Sequence, residues 1–236
     1  MIWWALAAIA AFFVKGLCGF ANTLVFTTIL SFFTANANIS PVELLLGYPS
    51  NIILAWKERR SVRWNLCLPL AFLVAVGSIP GVLFLKNTDA RMIKTAFGIV
   101  IILLGLEMLL REFHPVRVKK SQAALLLIGV LSGILCGLYG VGALLCSYLG
   151  RVTDDSSSFK ANICVIFLFE NTLRILLYAV WGILSFSLLK QAVLLVPFML
   201  IGLYLGMKSS KILNEKAVKK IVIGMLVVSG MALVWM

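Results

Sequence analysis

Eight apolar runs, separated by short stretches that hold nearly all the charged residues, constrain this chain more than any other feature. They cover about residues 2–34, 41–56, 66–85, 92–110, 122–149, 161–183, 187–207 and 217–236, four on each side of a basic linker, Arg111 to Gln122. A membrane-crossing helix takes roughly 20 apolar residues. A chain of 236 residues is therefore used up by such segments and their loops. Charged residues make up only 13%, against about 25% in ordinary soluble domains. Lipid must be the solvent for most of the surface, and the predicted fold is all-α: a polytopic helical membrane protein forming one domain over residues 1–236. The first run opens at Ile2 with no basic stretch before it and no small-residue cleavage site after it, so it is expected to stay in the protein.

The net charge of +12 would suggest nucleic acid in a soluble protein. Here the basic residues sit in the gaps between apolar runs, where they meet lipid head groups and set topology. Nucleic acid is excluded as a partner on that ground. Cys18, Cys67, Cys136, Cys146 and Cys164 all lie inside apolar runs without metal-ligand spacing, and no H-x-x-x-H, D-x-x-D or P-loop signature is present. Neither an enzyme nor a cofactor is expected. The expected partners are a small solute and the bilayer, with a homo-oligomer left open.

The two halves resemble each other. Gly16-Leu17-Cys18-Gly19 matches Gly137-Leu138-Tyr139-Gly140, Gly77 and Gly81 match Gly202 and Gly206, and Lys94 and Gly98 match Lys220 and Gly224. Repeat 1 is placed at about 1–110 and repeat 2 at about 123–236, with the linker at 111–122. Such duplication is frequent in secondary transporters, whose substrate site lies between repeats. Basic residues then choose a topology. Were all eight runs to span, they would divide almost evenly between the two sides, against the positive-inside bias. If the first run of each half instead breaks at its glycines into two short helices of about 10 to 14 residues that enter and return, fifteen basic loop residues fall on one side and only Lys86, Arg91 and Lys94 on the other. That arrangement makes the halves inverted repeats, each opening with a glycine-broken helical hairpin, with both termini away from the cytoplasm.

Non-helical backbone at membrane depth is tolerated only inside protein or beside a water-filled cavity, so the glycine turns mark a candidate site. A short helix that starts after such a turn points its N–H groups, with their partial positive charge, at whatever occupies the cavity. Gly16, Gly19, Gly137 and Gly140 are read as site glycines, whereas Gly77, Gly81, Gly129, Gly133, Gly202 and Gly206 have the spacing of close helix packing. Lys15, next to the first turn, carries a charge that costs about 3 kcal/mol in an apolar run. It either supplies positive charge to an anion or pairs with a carboxylate such as Glu43 or Glu107. Ser50, Asn51, Asn171 and Thr172 lie in mid-run, suited either to donate hydrogen bonds to an oxyanion or to tie helices together. Glu170 and Arg174, four apart with the acid first, form either a structural ion pair or a coupling device in which Glu170 takes a proton and frees Arg174 for the substrate.

This pattern resembles the sulfite exporter TauE/SafE family of small bacterial permeases, across nearly the whole chain. The likeness is carried by Lys15-Gly16-Leu17-Cys18-Gly19-Phe20-Ala21-Asn22, the polar second run, the basic loop Lys57 to Arg63, and Gly133-Ile134-Leu135-Cys136-Gly137-Leu138-Tyr139-Gly140-Val141-Gly142. The resemblance implies a multi-pass permease of the bacterial inner membrane that moves a small sulfur-containing or organic anion, with ion coupling. Gly16, Gly19, Asn22, Gly137, Gly140 and Gly142 carry the site over. Phe20-Ala21-Asn22 and Val141-Gly142-Ala143 depart from the family's longer glycine strings, which marks a divergent member and leaves the substrate open. Alternating access, one repeat rocking against the other, is the expected mechanism; a passive anion channel and a thiol carrier using Cys18 and Cys136 are the alternatives. On the hairpin topology, a cysteine placed at Asp154 is alkylated by an impermeant reagent from the same side as one placed at Arg60, whereas eight full spans put the two on opposite sides.

Overall fold

The computed structural model describes residues 1–31, 39–87, 122–140, 142–153 and 155–210, together with single helical positions at Ile99, Ile102, Leu103, Leu106, Lys220, Gly224, Val227, Val228 and Met231. The linker 111–121 and most of the runs 92–110 and 217–236 lie outside the described residues. The described secondary structure is entirely helical, as the all-α expectation requires. In chain order the helices are α1 (Ile2–Cys18), α2 (Asn22–Ser31), α3 (Ile39–Lys57), α4 (Trp64–Asn87), α5 (Gln122–Tyr139), α6 (Ala143–Val152), α7 (Ser156–Val180) and α8 (Phe186–Ser209), with a 3-10 turn at Arg59–Ser61 before α4. Three of them, over Trp64–Leu83, Ser156–Val180 and Phe186–Ser209, are long and apolar enough to cross a membrane. Their outer faces leave Phe72, Val76, Leu176, Val193, Leu194 and Ile201 exposed, a surface suited to lipid rather than water.

The first run of each half is broken where the glycines fall. The breaks come late, so α1 has 17 residues and α5 has 18, longer than the sequence suggests, while α2 and α6 have 10 each. Ten residues rise about 15 Å, half of a hydrocarbon core of about 30 Å. Over their described residues neither α2 nor α6 is long enough to cross alone. Gly19 ends α1 at φ 89°, its N–H bonding Lys15 O at 2.6 Å, and Gly140 ends α5 at φ 70°, its N–H bonding Cys136 O at 2.6 Å. Both take the left-handed conformation that closes a helix and that glycine adopts without penalty. Ala21, also left-handed at φ 70°, carries the steric penalty that Gly19 avoids. The chain then folds back, so that Trp4 near the start of α1 stacks edge-on against Phe26 of α2 at 5.8 Å between centroids.

Long helices pack across the halves in a reciprocal pattern. On α1 and α8 the sequence runs in the same direction: Gly202 lies against Ile9 O, Gly206 against Phe13 O, and Gly16 against the backbone of Leu203 and Met207. On α4 and α5 it does so again, with Gly77 against Val130 O, Gly81 against Ile134 O, and Gly133 and Gly137 against Val74 O and Ser78 O. A Cβ at any of these glycines would strike backbone, so glycine is what lets the helices approach this closely. All the glycines expected at packing spacing in these four helices take that role, except that Gly129 meets the Leu73 side chain instead of backbone. Between the seams, α4 runs parallel to α7, with Cys67 meeting Asn162 near one end and Val82 packing with Tyr178 near the other. Helix α3 runs against α7, its Tyr48 hydroxyl meeting Thr172 and its Leu44 packing on Tyr178. At one end of the bundle Arg63 binds Asn162 Oδ1 and Val152 O, which gathers Lys57, Arg59, Arg60, Arg63, Arg151 and Lys160.

Replacing Gly81 with Leu forces the α4 and α5 backbones apart; overpacking of this kind costs about 1–3 kcal/mol or more. The purified variant is expected to melt several degrees below the parent protein. Gly150→Leu, at a position with nothing within 4 Å of the new Cβ, should melt with the parent and serves as the control.

Candidate functional site

Five charged side chains are buried among the described residues: Lys15, Glu43, Lys160, Glu170 and Arg174. Four of them gather where the two hairpin turns meet. The turns touch directly, through the Thr23 hydroxyl donating to Gly140 O at 3.1 Å. Their partners come from α3 and α7, the two helices that run through the middle of the bundle.

The first turn delivers Lys15 and Asn22. Lys15 is 1% exposed; its ammonium donates to Gly47 O at 3.4 Å, lies 5.8 Å from the Phe12 ring centroid, and is within electrostatic reach of Glu43. Of the two partners the sequence offers for Lys15, Glu43 is the one present; Glu107 lies outside the described residues. The Asn22 amide donates to Glu43 Oε1 in a very short contact. Gly47 of α3 lies beside these groups. Glu43 Oε1, Asn22 Nδ2 and Asn171 Nδ2 all converge within 3.8 Å of the point where a Cβ would sit.

The second turn rests on Arg174. Its Nη1 donates to Cys136 O at 2.8 Å and stands 2.6 Å from where a Gly140 Cβ would sit. Nη2 reaches Asn171 Oδ1 at 3.4 Å, and Nε stands 3.6 Å from Glu170 Oε1. Glu170 Oε1 and Arg174 Nε are buried with no hydrogen-bond partner, as is Asn51 Oδ1. The pair is thus a loose contact between two charges rather than a closed salt bridge, and an unsatisfied buried polar atom costs about 1–3 kcal/mol. Each turn accordingly has one cation, Lys15 from α1 itself and Arg174 from α7. Two carboxylates bring the group of four to formal neutrality.

The other sequence-selected residues fall in different places. Gly19 and Gly140 are the turns, and Gly142 faces the Phe167 ring, 2.5 Å from its would-be Cβ. Gly16 and Gly137 sit on the packing seams. Ser50 is fully buried but donates back to Gly47 O at 2.6 Å within its own helix. Thr172 is exposed, bonds Leu168 O at 2.7 Å and meets Tyr48, away from the four charges. Sequence reasoning left Glu43, Thr23 and Gly47 out of the site. For Glu43 the signal was present, since an acid inside an apolar run is as costly as Lys15.

Buried, mutually compensating charges held at broken helices inside a lipid-facing helical bundle are the features of a multi-pass membrane protein with a functional polar interior. The model of the sulfite exporter TauE/SafE family matches residues 4–233. This chain belongs to that family. It is similar to the probable sulfite/organosulfonate exporter TauE of Cupriavidus necator, with 23% identity over 210 residues that cover 85% of this chain and 82% of the relative. No solved structure is a significant match.

The Glu170–Arg174 contact yields a direct test. Breaking a buried pair by removing one partner typically costs about 3–5 kcal/mol. Arg174→Met alone should therefore lower the melting temperature sharply, and the double variant with Glu170→Met should recover most of the loss, as read by thermal melts of the four proteins of the mutant cycle.

Proposed function

We propose that this chain moves a small sulfur-containing or organic anion, of the sulfite or sulfonate type, across the cell membrane by alternating access, with the anion held at the meeting point of the two glycine turns. The observation that carries the reading is the formally neutral group of Lys15, Arg174, Glu43 and Glu170 at that point, two of whose own atoms, Glu170 Oε1 and Arg174 Nε, are buried without hydrogen-bond partners. The family membership and the similarity to a probable sulfite/organosulfonate exporter of Cupriavidus necator support the substrate class. The Gly19 and Gly140 turns, the Asn22 and Asn171 amides, and the buried Asn51 supply or frame hydrogen-bond contacts around the anion. Gly16 and Gly137 act on the site through packing, Gly142 makes room for Phe167, and Ser50 and Thr172 stay on helix backbone.

Neutrality of the group has a mechanistic consequence. Bringing an anion into a low-dielectric interior costs several kcal/mol unless a charge compensates it, and here both cations already face carboxylates. A proton taken up on Glu170 neutralises that carboxylate and frees Arg174 for the substrate, so one proton accompanies each negative charge. In support of the halves being inverted repeats of a single membrane domain, the α1–α8 and α4–α5 seams mirror each other, and α3 and α7 run in opposite directions. Each hairpin packs closely on the fourth helix of the other half, which supports a reading in which these mixed units move as bodies during alternating access.

Flux of labelled sulfite, thiosulfate, a small sulfonate and a small carboxylate into proteoliposomes, with and without an imposed pH gradient, tests the proposal. Gradient-driven movement of one anion is expected in the wild type. It should be lost in Gly140→Leu, where the new side chain meets the Arg174 guanidinium. Glu170→Gln should still exchange labelled for unlabelled anion but no longer respond to the gradient. Gradient dependence that survives in Glu170→Gln would place the proton elsewhere, and wild-type flux of none of the four would sink the substrate class.

A further inference from the structure

Thr23, the second residue of α2, is buried at the first glycine turn, and its hydroxyl carries a single hydrogen to donate. Two acceptors stand within its reach. One is Gly140 O of the second turn, which takes the hydrogen at 3.1 Å. The other is the Glu43 carboxylate of α3, which lies in hydrogen-bonding reach of the same hydroxyl and already accepts from the neighbouring Asn22 amide. One hydrogen cannot serve both at full strength. The hydroxyl therefore has two alternative settings, one that ties the two halves of the chain together and one that stays within the first half.

The two acceptors differ in what they respond to. Gly140 O belongs to the end of α5, where carbonyls find no partner within the helix. Arg174 Nη1 and the Gly140 N–H serve Cys136 O, at 2.8 and 2.6 Å, and Thr23 serves Gly140 O. Taking the hydroxyl away leaves a buried carbonyl bare, a cost that the second turn relieves by shifting. Glu43, by contrast, faces Lys15, with Arg174 also in electrostatic reach. Its demand for a hydrogen depends on where the Lys15 charge is spent. With the ammonium compensating Glu43, the hydroxyl rests on Gly140 O, as observed. An anion drawn to Lys15 takes up part of that compensation and brings a second negative charge close to Glu43. A hydrogen bond to an ionised carboxylate is roughly twice as strong as a neutral one, so the balance then tips toward Glu43.

We infer that Thr23 is a positioning residue that links the occupancy of Lys15 to the second glycine turn: while Lys15 holds no anion the hydroxyl binds Gly140 O and the turns stay joined, and with an anion at Lys15 it swings to Glu43 and lets the turns part. Glu43 stays ionised throughout, so this latch works independently of the proton on Glu170. The inference rests on the anion-transport reading above and adds to it a physical connection between binding and movement, made by one hydroxyl that touches both halves.

Thr23→Val, which keeps the branched shape and loses the hydroxyl, and Thr23→Ser, which keeps the hydroxyl, test the assignment in proteoliposomes. Without the hydroxyl the turns lack the hydrogen bond that rejoins them after release. For the anion that the wild type carries, Thr23→Val should therefore lower the maximal rate about tenfold or more while the half-saturating concentration stays within about twofold, and Thr23→Ser should recover most of the rate. In a Glu43→Gln background, where no ionised carboxylate competes for the hydrogen and the latch is already lost, adding Thr23→Val should change the rate by less than about twofold. A Thr23→Val protein that does not fold, a rate loss that Thr23→Ser shares, or equal losses in the two backgrounds would each overturn the latch. Should the wild type carry no anion, the transport reading fails separately; the latch is then judged by thermal melts of the wild type, Thr23→Val, Glu43→Gln and the double variant. Their shifts should be non-additive because Thr23 and Glu43 share one hydrogen, and additive shifts overturn it.

Discussion

Inside a bilayer no water is available to satisfy a backbone N–H or C=O, and nearly every feature of this chain answers to that constraint. Continuous helix is the default because it satisfies the backbone by itself. Where the helix stops, at Gly19 and at Gly140, the freed groups must be enclosed by protein. The enclosure is built from both halves at once: α3 and α7 run through the centre, the two turns meet at Thr23 and Gly140, and the remaining space is filled by side chains able to bond. Once that polar pocket exists, the charges it contains need one another. Lys15 with Glu43 and Arg174 with Glu170 follow from the same constraint that produced the turns.

The seams show how so short a chain can enclose such a pocket. Helices in lipid gain little from hydrophobic contact with each other, since lipid is equally apolar, and rely on close van der Waals approach. Along α1–α8 and α4–α5 glycine after glycine meets opposing backbone. These two tight contacts fix the long helices, and the short returning helices α2 and α6 lean on structure already in place. Ala21, at positive φ, is the exception to the use of glycine in this region, and it sits immediately before Asn22, whose amide reaches Glu43. Local strain there coincides with the positioning of a polar group, as is common at functional sites.

Much of this is legible in the sequence, for physical reasons that differ residue by residue. The all-helical membrane fold follows from run length and composition. The breaks at Gly19 and Gly140 follow from glycine pairs in matching places, and Lys15, Glu170 and Arg174 stand out because charge in an apolar run is expensive. Helix lengths were less legible, since nothing local says that the first helix runs on through Gly16 to Cys18 instead of ending at the first glycine of the pair. Gly16 and Gly19 look alike in sequence, yet one faces a neighbouring helix and the other makes the turn; rotation about the α1 axis decides that, and only packing against α8 fixes the rotation. Thr172 looked equivalent to Asn171 but points the other way, while Thr23 and Gly47 gave no signal because a threonine or glycine costs nothing in an apolar run until tertiary structure surrounds it with charge.

The reciprocal seams carry a consequence for how such a chain is assembled. The first helix of each half finds its tight partner in the fourth helix of the other half, so neither half buries its own glycine stripes. A half-length chain would enter the membrane with its first and fourth helices both lacking the partner against which they pack closely. What reads as one intramolecular core is therefore the interface between the two halves of the chain. Synthesis must proceed past the middle of the chain before either seam can close, which leaves the first half dependent on the second for its packing throughout insertion.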